Sequence, residues 1–251
     1  MTLIRQLTDI FALIGAVALL LVRCSARIAT LRVNPALLIR QMALLGVDTI
    51  PIAALVQSFV GASLSYVMAR ELAERGAQLL LPGSILLIEL RELLPVLTAV
   101  VFAGKVGASI TAEIGAMRVT EQIDALRTLH VDPDWYLTIP RLLAALIMMP
   151  VVAVFAGYAG YYSAWFMAKA QIGMSLSTFV QYSGLFVDVW DYYASLIKLL
   201  VFASTVTLVA VVYGYRSTGG AAGVGRAVTA SVTTSIVLIF ALDLILLPVL
   251  F

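Results

Sequence analysis

The sequence predicts an all-α integral membrane protein with five transmembrane helices, preceded by a short N-terminal interfacial or elbow helix. Two observations carry this prediction, namely the composition and a series of long apolar runs. Apolar residues make up 62% of the 251 residues and charged residues only 12%, which is far from the balance of soluble domains. Because lipid cannot satisfy backbone polar groups, such runs are expected to form helices rather than open strands.

The first apolar run, from Ile10 to Val22, is short for a span. A helix needs ~20 apolar residues to cross a hydrocarbon core ~30 Å thick, so residues 1–42 are predicted to form an interfacial region. Arg23 and Arg27 stand where small residues would precede a signal-peptide cleavage site, so cleavage is not expected. The single cysteine, Cys24, cannot form an internal disulfide and is expected to be a packing residue.

Five later runs are long enough to cross a membrane. Each is apolar around the whole helix instead of alternating with period two; they cover residues 43–69, 80–104, 142–168, 194–215 and 230–251. No internal repeat or low-complexity linker divides the chain. Residues 1–251 are therefore assigned to one domain, with the transmembrane bundle at 43–251.

The distribution of Lys and Arg predicts the orientation, because these residues are retained preferentially in short cytoplasmic loops. They concentrate before the first span, around the loop after the second, and between the fourth and fifth: Arg5, Arg23, Arg27, Arg32, Arg40, Lys105, Arg118, Arg127, Arg141, Arg216 and Arg226. Five spans then give a cytoplasmic N-terminus and an outside C-terminus. A net charge of +2, dispersed in this way, does not indicate nucleic-acid binding.

A stripe of small residues follows the second run at spacings of three and four. These residues would lie on one helix face, where another helix can approach closely: Gly104, Gly107, Ala108, Thr111, Ala112 and Gly115. Such stripes are common packing seams in membrane bundles. The stripe predicts tight packing and names no function.

The segment from Val119 to Leu129 predicts a short amphipathic helix in the cytosol, between spans two and three. Its charged residues share one face and its apolar residues form an edge; they are Glu121, Asp124 and Arg127, and Ile123 and Leu126. The plain interpretation is a solvated helix that reverses the chain. The functional interpretation is a docking helix that receives motion from a soluble partner.

Motifs for catalysis or metal binding are not evident. The glycine-rich run "GGAAGVGRAV" superficially resembles a phosphate-binding loop, but Arg226 and Ala227 stand where Lys and Ser or Thr would be needed. It is predicted to be a flexible cytosolic loop between spans four and five. His130 has no nearby cysteine or paired carboxylates, so no metal site, nucleophile or cofactor is expected.

One long stretch closely resembles a known family. The run "RELLPVLTAVVFAGKVGASITAEIGAMRVTEQIDALRTLHVDP", followed by "IPRLLA", is similar to the MlaE-type permeases. These are membrane subunits of lipid-transporting ABC systems, including the maintenance-of-lipid-asymmetry transporter and its plastid relatives. Residues 89–145 carry the specific match. Leu94 departs from a common glycine and Lys105 from a common arginine, so Lys105 would meet an anionic headgroup as a point charge.

The resemblance implies a permease homodimer of the bacterial inner membrane or the plastid inner envelope. Phospholipid, a separate ABC ATPase that binds ATP and Mg, and an MCE-domain lipid-binding protein would be its partners. The permease itself would bind no cofactor and would not be an enzyme. The residues implied to couple it to the ATPase are Thr120, Glu121, Gln122, Asp124, Ala125 and Arg127.

Charges inside the second run need compensation, because burying an ionisable group costs at least ~2.5–3.5 kcal/mol on insertion scales. Glu89 and Glu92 would be adjacent on one face, with Arg91 turned away. They would form either an internal ion-pair cluster or, as we favour, the headgroup end of a substrate cavity, with Leu90 and Leu93 beside acyl chains. Snorkelling or one buried pair would explain three further embedded charges, Asp48, Lys198 and Asp243.

Two other function classes are consistent with parts of the sequence. An ion-coupled secondary carrier would use Glu89, Glu92 and Asp243 as a proton relay. Such carriers usually show paired repeats and broken helices in corresponding halves, and neither is evident here. A structural membrane anchor would explain the docking helix but not the charges of the second span.

Overall fold

The computed structural model describes residues 35–251, together with Gly15 and Leu20. The interfacial helix predicted at Ile10–Val22 and the cysteine Cys24 otherwise lie outside the described residues. All regular structure in the described residues is helical, without a strand. The all-α prediction is confirmed for this part of the chain.

Ten α-helices follow one another in the described part of the chain: α1 Pro35–Leu45, α2 Ile50–Glu74, α3 Leu81–Ile88, α4 Leu94–Phe102, α5 Ala108–Val119, α6 Gln122–Thr128, α7 Ile139–Ile172, α8 Leu176–Ser183, α9 Val189–Tyr215 and α10 Gly220–Leu250. Short 3₁₀ turns precede α2 and α3, and wider π-helical turns precede α4, α5 and α7: Val47–Thr49, Gln78–Leu80, Glu89–Leu93, Ala103–Gly107 and Asp134–Thr138.

Four helical stretches among the described residues are long and apolar enough to cross a membrane. They are Pro35–Glu74, Asp134–Ile172, Val189–Tyr215 and Gly220–Leu250, and they contain the first, third, fourth and fifth predicted spans. The second predicted span lies in α3 and α4, which are part of one helical segment from 81 to 119. The described helices therefore support a membrane bundle, and the count of five spans stays a prediction.

Pro95 gives a physical reason for the first π turn of this segment. A proline has no N–H and its ring clashes with the preceding turn, so the carbonyl of Arg91 has no donor four residues later. The helix widens at Glu89–Leu93, immediately before the proline. The amino group of Lys198 donates to the Arg91 carbonyl instead, at 2.7 Å.

The bundle is held together by a close crossing and a central helix. Helices α2 and α7 cross at Gly61 and Gly160, where a Cβ on Gly61 would collide with the backbone of Gly160. This contact is therefore restricted to glycine. Helix α9 lies at the centre, because 67% of its most apolar stretch is buried, compared with 11% in α10.

Two parts of the chain differ from the prediction. The run "GGAAGVGRAV" is not a flexible loop, because Gly219 and Gly220 take left-handed φ values of 82° and 69° and α10 begins at Gly220. The alanines that follow favour a helix strongly, so α10 starts about ten residues before the predicted fifth span. Helix α8 was not predicted; the Ser175 hydroxyl caps it by accepting from the Thr178 N–H.

Candidate functional site

A cleft of about 530 Å³ lies between four parts of the bundle: the first π turn with its flanking helices, the middle of α7, the end of α8, and the first half of α9. Leucine and tyrosine side chains make much of its wall, including Leu86, Leu90, Leu94, Tyr158, Tyr161 and Tyr192. Among the described residues that line it, Glu89 is the only charged one. The cleft therefore combines a mostly apolar wall with one carboxylate.

Small residues on α7 leave the space for this cleft. Ala153 and Gly157 line it one turn apart, and a Cβ added at Gly157 would meet the side chain of Leu94 at 3.2 Å. The rim includes Val154, Tyr158 and Tyr192, which are 55%, 62% and 53% exposed. The cleft thus opens on an apolar outer surface of the bundle.

Glu89 is buried at the wall of this cleft and is only 3% exposed. Its Oε1 atom accepts a long hydrogen bond of 3.4 Å from the Gln57 side-chain amide. Its Oε2 atom has no hydrogen-bond partner among the described residues. Glu89 is one of the cavity residues predicted from the sequence. Gln57 was not predicted, because a contact between residues 32 positions apart leaves no local pattern.

Arg91 and Glu92 make their contacts elsewhere. Arg91 Nε lies 2.8 Å from Asp191 Oδ1, and Lys198 Nζ lies 2.8 Å from both Glu92 Oε1 and Asp243 Oδ1. Asp191 also accepts from the Asp188 N–H at the start of α9. The charges of Arg91 and Glu92, unlike that of Glu89, are therefore compensated by α9 and α10.

The predicted cavity residues consequently divide into two groups. Glu89 and Leu90 line the cleft, whereas Arg91, Glu92 and Leu93 are not among its lining residues. The prediction that Glu89 and Glu92 lie on one helix face is wrong. The π turn has more residues per turn than the α-helix that was assumed from the sequence. Their side chains contact α2 and α9 respectively.

The structure distinguishes the explanations left open for three embedded charges. Lys198 and Asp243 form a buried pair, with Lys198 fully buried. Asp48 is exposed, and its backbone carbonyl accepts a hydrogen bond from the amino group of Lys105. Asp191 could have been recognised from the sequence as a residue at a helix start, because Asp188 and Asp191 have the spacing of a capping box.

The small-residue stripe contacts α9 and α10 along part of its length. The Thr111 hydroxyl lies 3.1 Å from the Ala210 carbonyl and 2.9 Å from the Ser231 hydroxyl. A Cβ at Gly107 would meet Val206, and one at Gly115 would meet Ser217 and Val224. Ala108 is half-buried. Gly104 is exposed and has open space around it, so it makes no packing contact of the predicted kind in this chain.

The amphipathic segment forms α6, with Ile123 only 1% exposed beneath it. Glu121 precedes the helix with a left-handed φ of 61° and is exposed, as are Thr120, Gln122, Ala125 and Arg127. Asp124 pairs with Arg118 and Arg127 at 2.7 and 3.1 Å. The outer face of α6 thus remains accessible, while Asp124 stabilises the turn that presents it.

The sequence of this chain matches one protein family and three relatives of known name. The Permease MlaE family matches residues 38–248. The chain is 38% identical over 209 residues to a probable ABC transporter permease protein of Synechocystis sp., covering 83% of this chain and 80% of that protein. A probable ABC transporter permease protein of Porphyra purpurea is 36% identical over 215 residues, with coverages of 86% and 82%.

The third relative is a chloroplast protein of Arabidopsis thaliana, TRIGALACTOSYLDIACYLGLYCEROL 1. It is 32% identical over 208 residues, which cover 83% of this chain and 59% of that protein. The similarity therefore extends to a longer plastid protein.

Proposed function

Because this chain belongs to the MlaE permease family, we propose that it moves phospholipid or a similar amphiphile between membranes as the permease subunit of an ABC transporter. The cleft beside Glu89 is the observation that carries the proposal. Its wall offers leucine side chains for acyl chains and a carboxylate for a polar group. Its exposed apolar rim provides an entrance from surrounding lipid.

ATP hydrolysis on a separate subunit, with Mg, would drive the movement. The exposed outer face of α6 supports this assignment, because it offers Thr120, Glu121, Gln122, Ala125 and Arg127 to a soluble partner. Asp124 would act within the turn, through Arg118 and Arg127. The docking role of α6 follows from the family resemblance together with this exposure.

The same proposal includes two further protein partners and a location. A second copy of the chain would complete a homodimer, and an MCE-domain protein would deliver or receive the lipid. The complex would lie in a bacterial inner membrane or a plastid inner envelope, with the N-terminus in the cytoplasm or stroma. The exposed apolar surfaces of α7 and α10 are compatible with lipid or another membrane helix.

Blocking the entrance of the cleft tests the proposal. Val154→Trp fills the rim, whereas Val151→Trp is a matched control one turn earlier on α7, at a residue that is also exposed but does not line the cleft. We expect Val154→Trp to lower ATP-driven lipid transfer between vesicles roughly tenfold, equivalent to about 1.4 kcal/mol. The control should transfer lipid at the wild-type rate, and both should copurify with the ATPase.

The outcomes separate the three function classes. Transfer that requires the ATPase and ATP supports the permease, transfer driven by an ion gradient alone supports a secondary carrier, and no transfer under either condition supports an anchor. Equal transfer by Val154→Trp and the wild type would remove the cleft from the transport route.

A further inference from the structure

The charges lining the cleft restrict the polar groups that it can hold. Among the described lining residues no lysine or arginine is present, and the polar side chains other than Glu89 are hydroxyls: Tyr158, Tyr161, Ser183, Tyr192 and Ser195. The nearby cations are already paired, Arg91 with Asp191 and Lys198 with Glu92 and Asp243. A phosphate placed beside Glu89 would therefore meet a carboxylate, and no unpaired lysine or arginine among the described lining residues would be available to bind it.

Glu89 itself has unused capacity to accept hydrogen bonds. A carboxylate offers about four lone-pair positions, and the described residues supply one bond of 3.4 Å, from Gln57 to Oε1. Oε2 is inaccessible to solvent and has no partner among the described residues. A buried acceptor without a hydrogen-bond partner destabilises the protein, and the effect is larger when the acceptor is charged. A donor that enters the cleft would remove this destabilisation once a rotation of the Glu89 side chain brings Oε2, which is buried in this conformation, to the surface of the cleft.

We propose that the cleft selects amphiphiles whose polar group donates hydrogen bonds to Glu89, namely a primary ammonium or a hydroxyl group, and excludes phosphate from this position. The proposal rests on the proposed function, because it concerns the polar group of the same transported amphiphile. The leucines of the π turn and the tyrosines of α7 and α9 would hold the apolar part. A phosphate in the same lipid would remain outside the cleft.

Four lipids with identical acyl chains separate donor capacity from charge. Phosphatidylethanolamine and diacylglycerol carry donors, on an ammonium and a hydroxyl respectively. Phosphatidylcholine has the charges of the ethanolamine lipid without an N–H donor, and phosphatidylmethanol is anionic without a donor. The full chain, purified with its ATPase in detergent micelles, would carry a benzophenone amino acid in place of Tyr158 at the rim, and lipid capture would be measured after illumination.

We expect the two donor lipids to be captured about tenfold more efficiently than the other two, since a hydrogen bond to a charged group contributes about that factor or more. Glu89→Leu should abolish the preference. Glu89→Gln keeps an oxygen acceptor but loses the charge, so it should retain diacylglycerol and lose most of the ethanolamine lipid. Glu74→Gln, at an exposed glutamate at the end of α2, is the matched control and should behave as the wild type.

Equal capture of all four lipids, preferential capture of phosphatidylmethanol, or an unchanged preference in Glu89→Leu would each overturn the inference. ATP-driven transfer between vesicles is measured after the same preparations are reconstituted into lipid. Intact transfer without donor preference overturns the inference alone, whereas donor-selective capture without ATP-driven transfer overturns the proposed function alone.

Discussion

At the scale of single residues, Lys198 compensates several polar groups at once. Its amino group contacts the carboxylates of Glu92 and Asp243 and the carbonyl of Arg91. Pro95 stands where the α-helical donor to this carbonyl would be, four residues later. A fully buried ammonium needs this many partners, because taking a charge out of water costs several kcal/mol. Lys198 therefore links its own helix, α9, to the first π turn and to α10 through polar contacts.

Replacing Lys198 with Met should destabilise the bundle by about 3 kcal/mol or more, because two carboxylates are left without their cation. The midpoint of thermal unfolding in detergent measures this loss. The triple variant with Glu92→Gln, Lys198→Met and Asp243→Asn removes the carboxylate charges as well and should recover most of the stability. A single variant as stable as the wild type would contradict the compensating role of Lys198.

The sequence indicated which residues needed partners but not which partners they have. Glu89, Arg91 and Glu92 stood out because they interrupt an apolar run, and Glu89 does line the cleft. Their partners lie up to 106 positions away, as with Glu92 and Lys198. A sequence pattern with a helical period cannot show such contacts, nor the π turn that directs Glu89 and Glu92 to different helices.

At the scale of elements, apolar composition predicted the long helices well because it is a property of many residues together. The boundaries were less accurate where polar or small residues continue a helix, as at Gly220, where α10 begins. Helix α8 was missed because eight residues are too few for a clear period, although Ser175 and Thr178 form a recognisable cap. The amphipathic helix α6 was recognised because its two faces differ in charge.

The exposed face of α6 provides a test at this scale. Glu121→Lys reverses a charge on an exposed side chain, so we expect the amount of copurified ATPase to fall while the unfolding midpoint of the permease stays unchanged. Asp124→Lys should lower both, since Asp124 also holds Arg118 and Arg127. Glu74→Lys, at the end of α2, is the control and should copurify normally. Full assembly with Glu121→Lys would argue against docking at α6.

At the scale of the whole molecule, the ends of the helices form two opposite sides with different charge. The side with α6 and the start of α10 carries arginines in its turns, including Arg118, Arg127 and Arg216, whereas fewer basic residues accompany α8 on the other side. Because basic residues are retained in the cytoplasm, the predicted orientation places the side with α6 in the cytoplasm.

Cysteine labelling measures the orientation directly. Cys24 is the single cysteine, so a Cys24→Ser background permits one new thiol at a time. Ser177→Cys in α8 should react with a membrane-impermeant maleimide in intact cells, and Thr128→Cys at the end of α6 should react only after the membrane is opened; both positions are exposed. The reverse pattern would invert the topology, and labelling of both positions in intact cells would exclude a sealed membrane between them.

The helical segment from 81 to 119 has a mechanical consequence. At a rise of about 1.5 Å per residue it is roughly 58 Å long, well beyond the ~30 Å of a hydrocarbon core. It contains Glu89 near one end and leads into α6 at the other through a two-residue turn, Thr120 and Glu121. We expect this segment to move largely as one body that bends at its two π turns, so that a displacement of α6 would reach the wall of the cleft as a tilt or a twist.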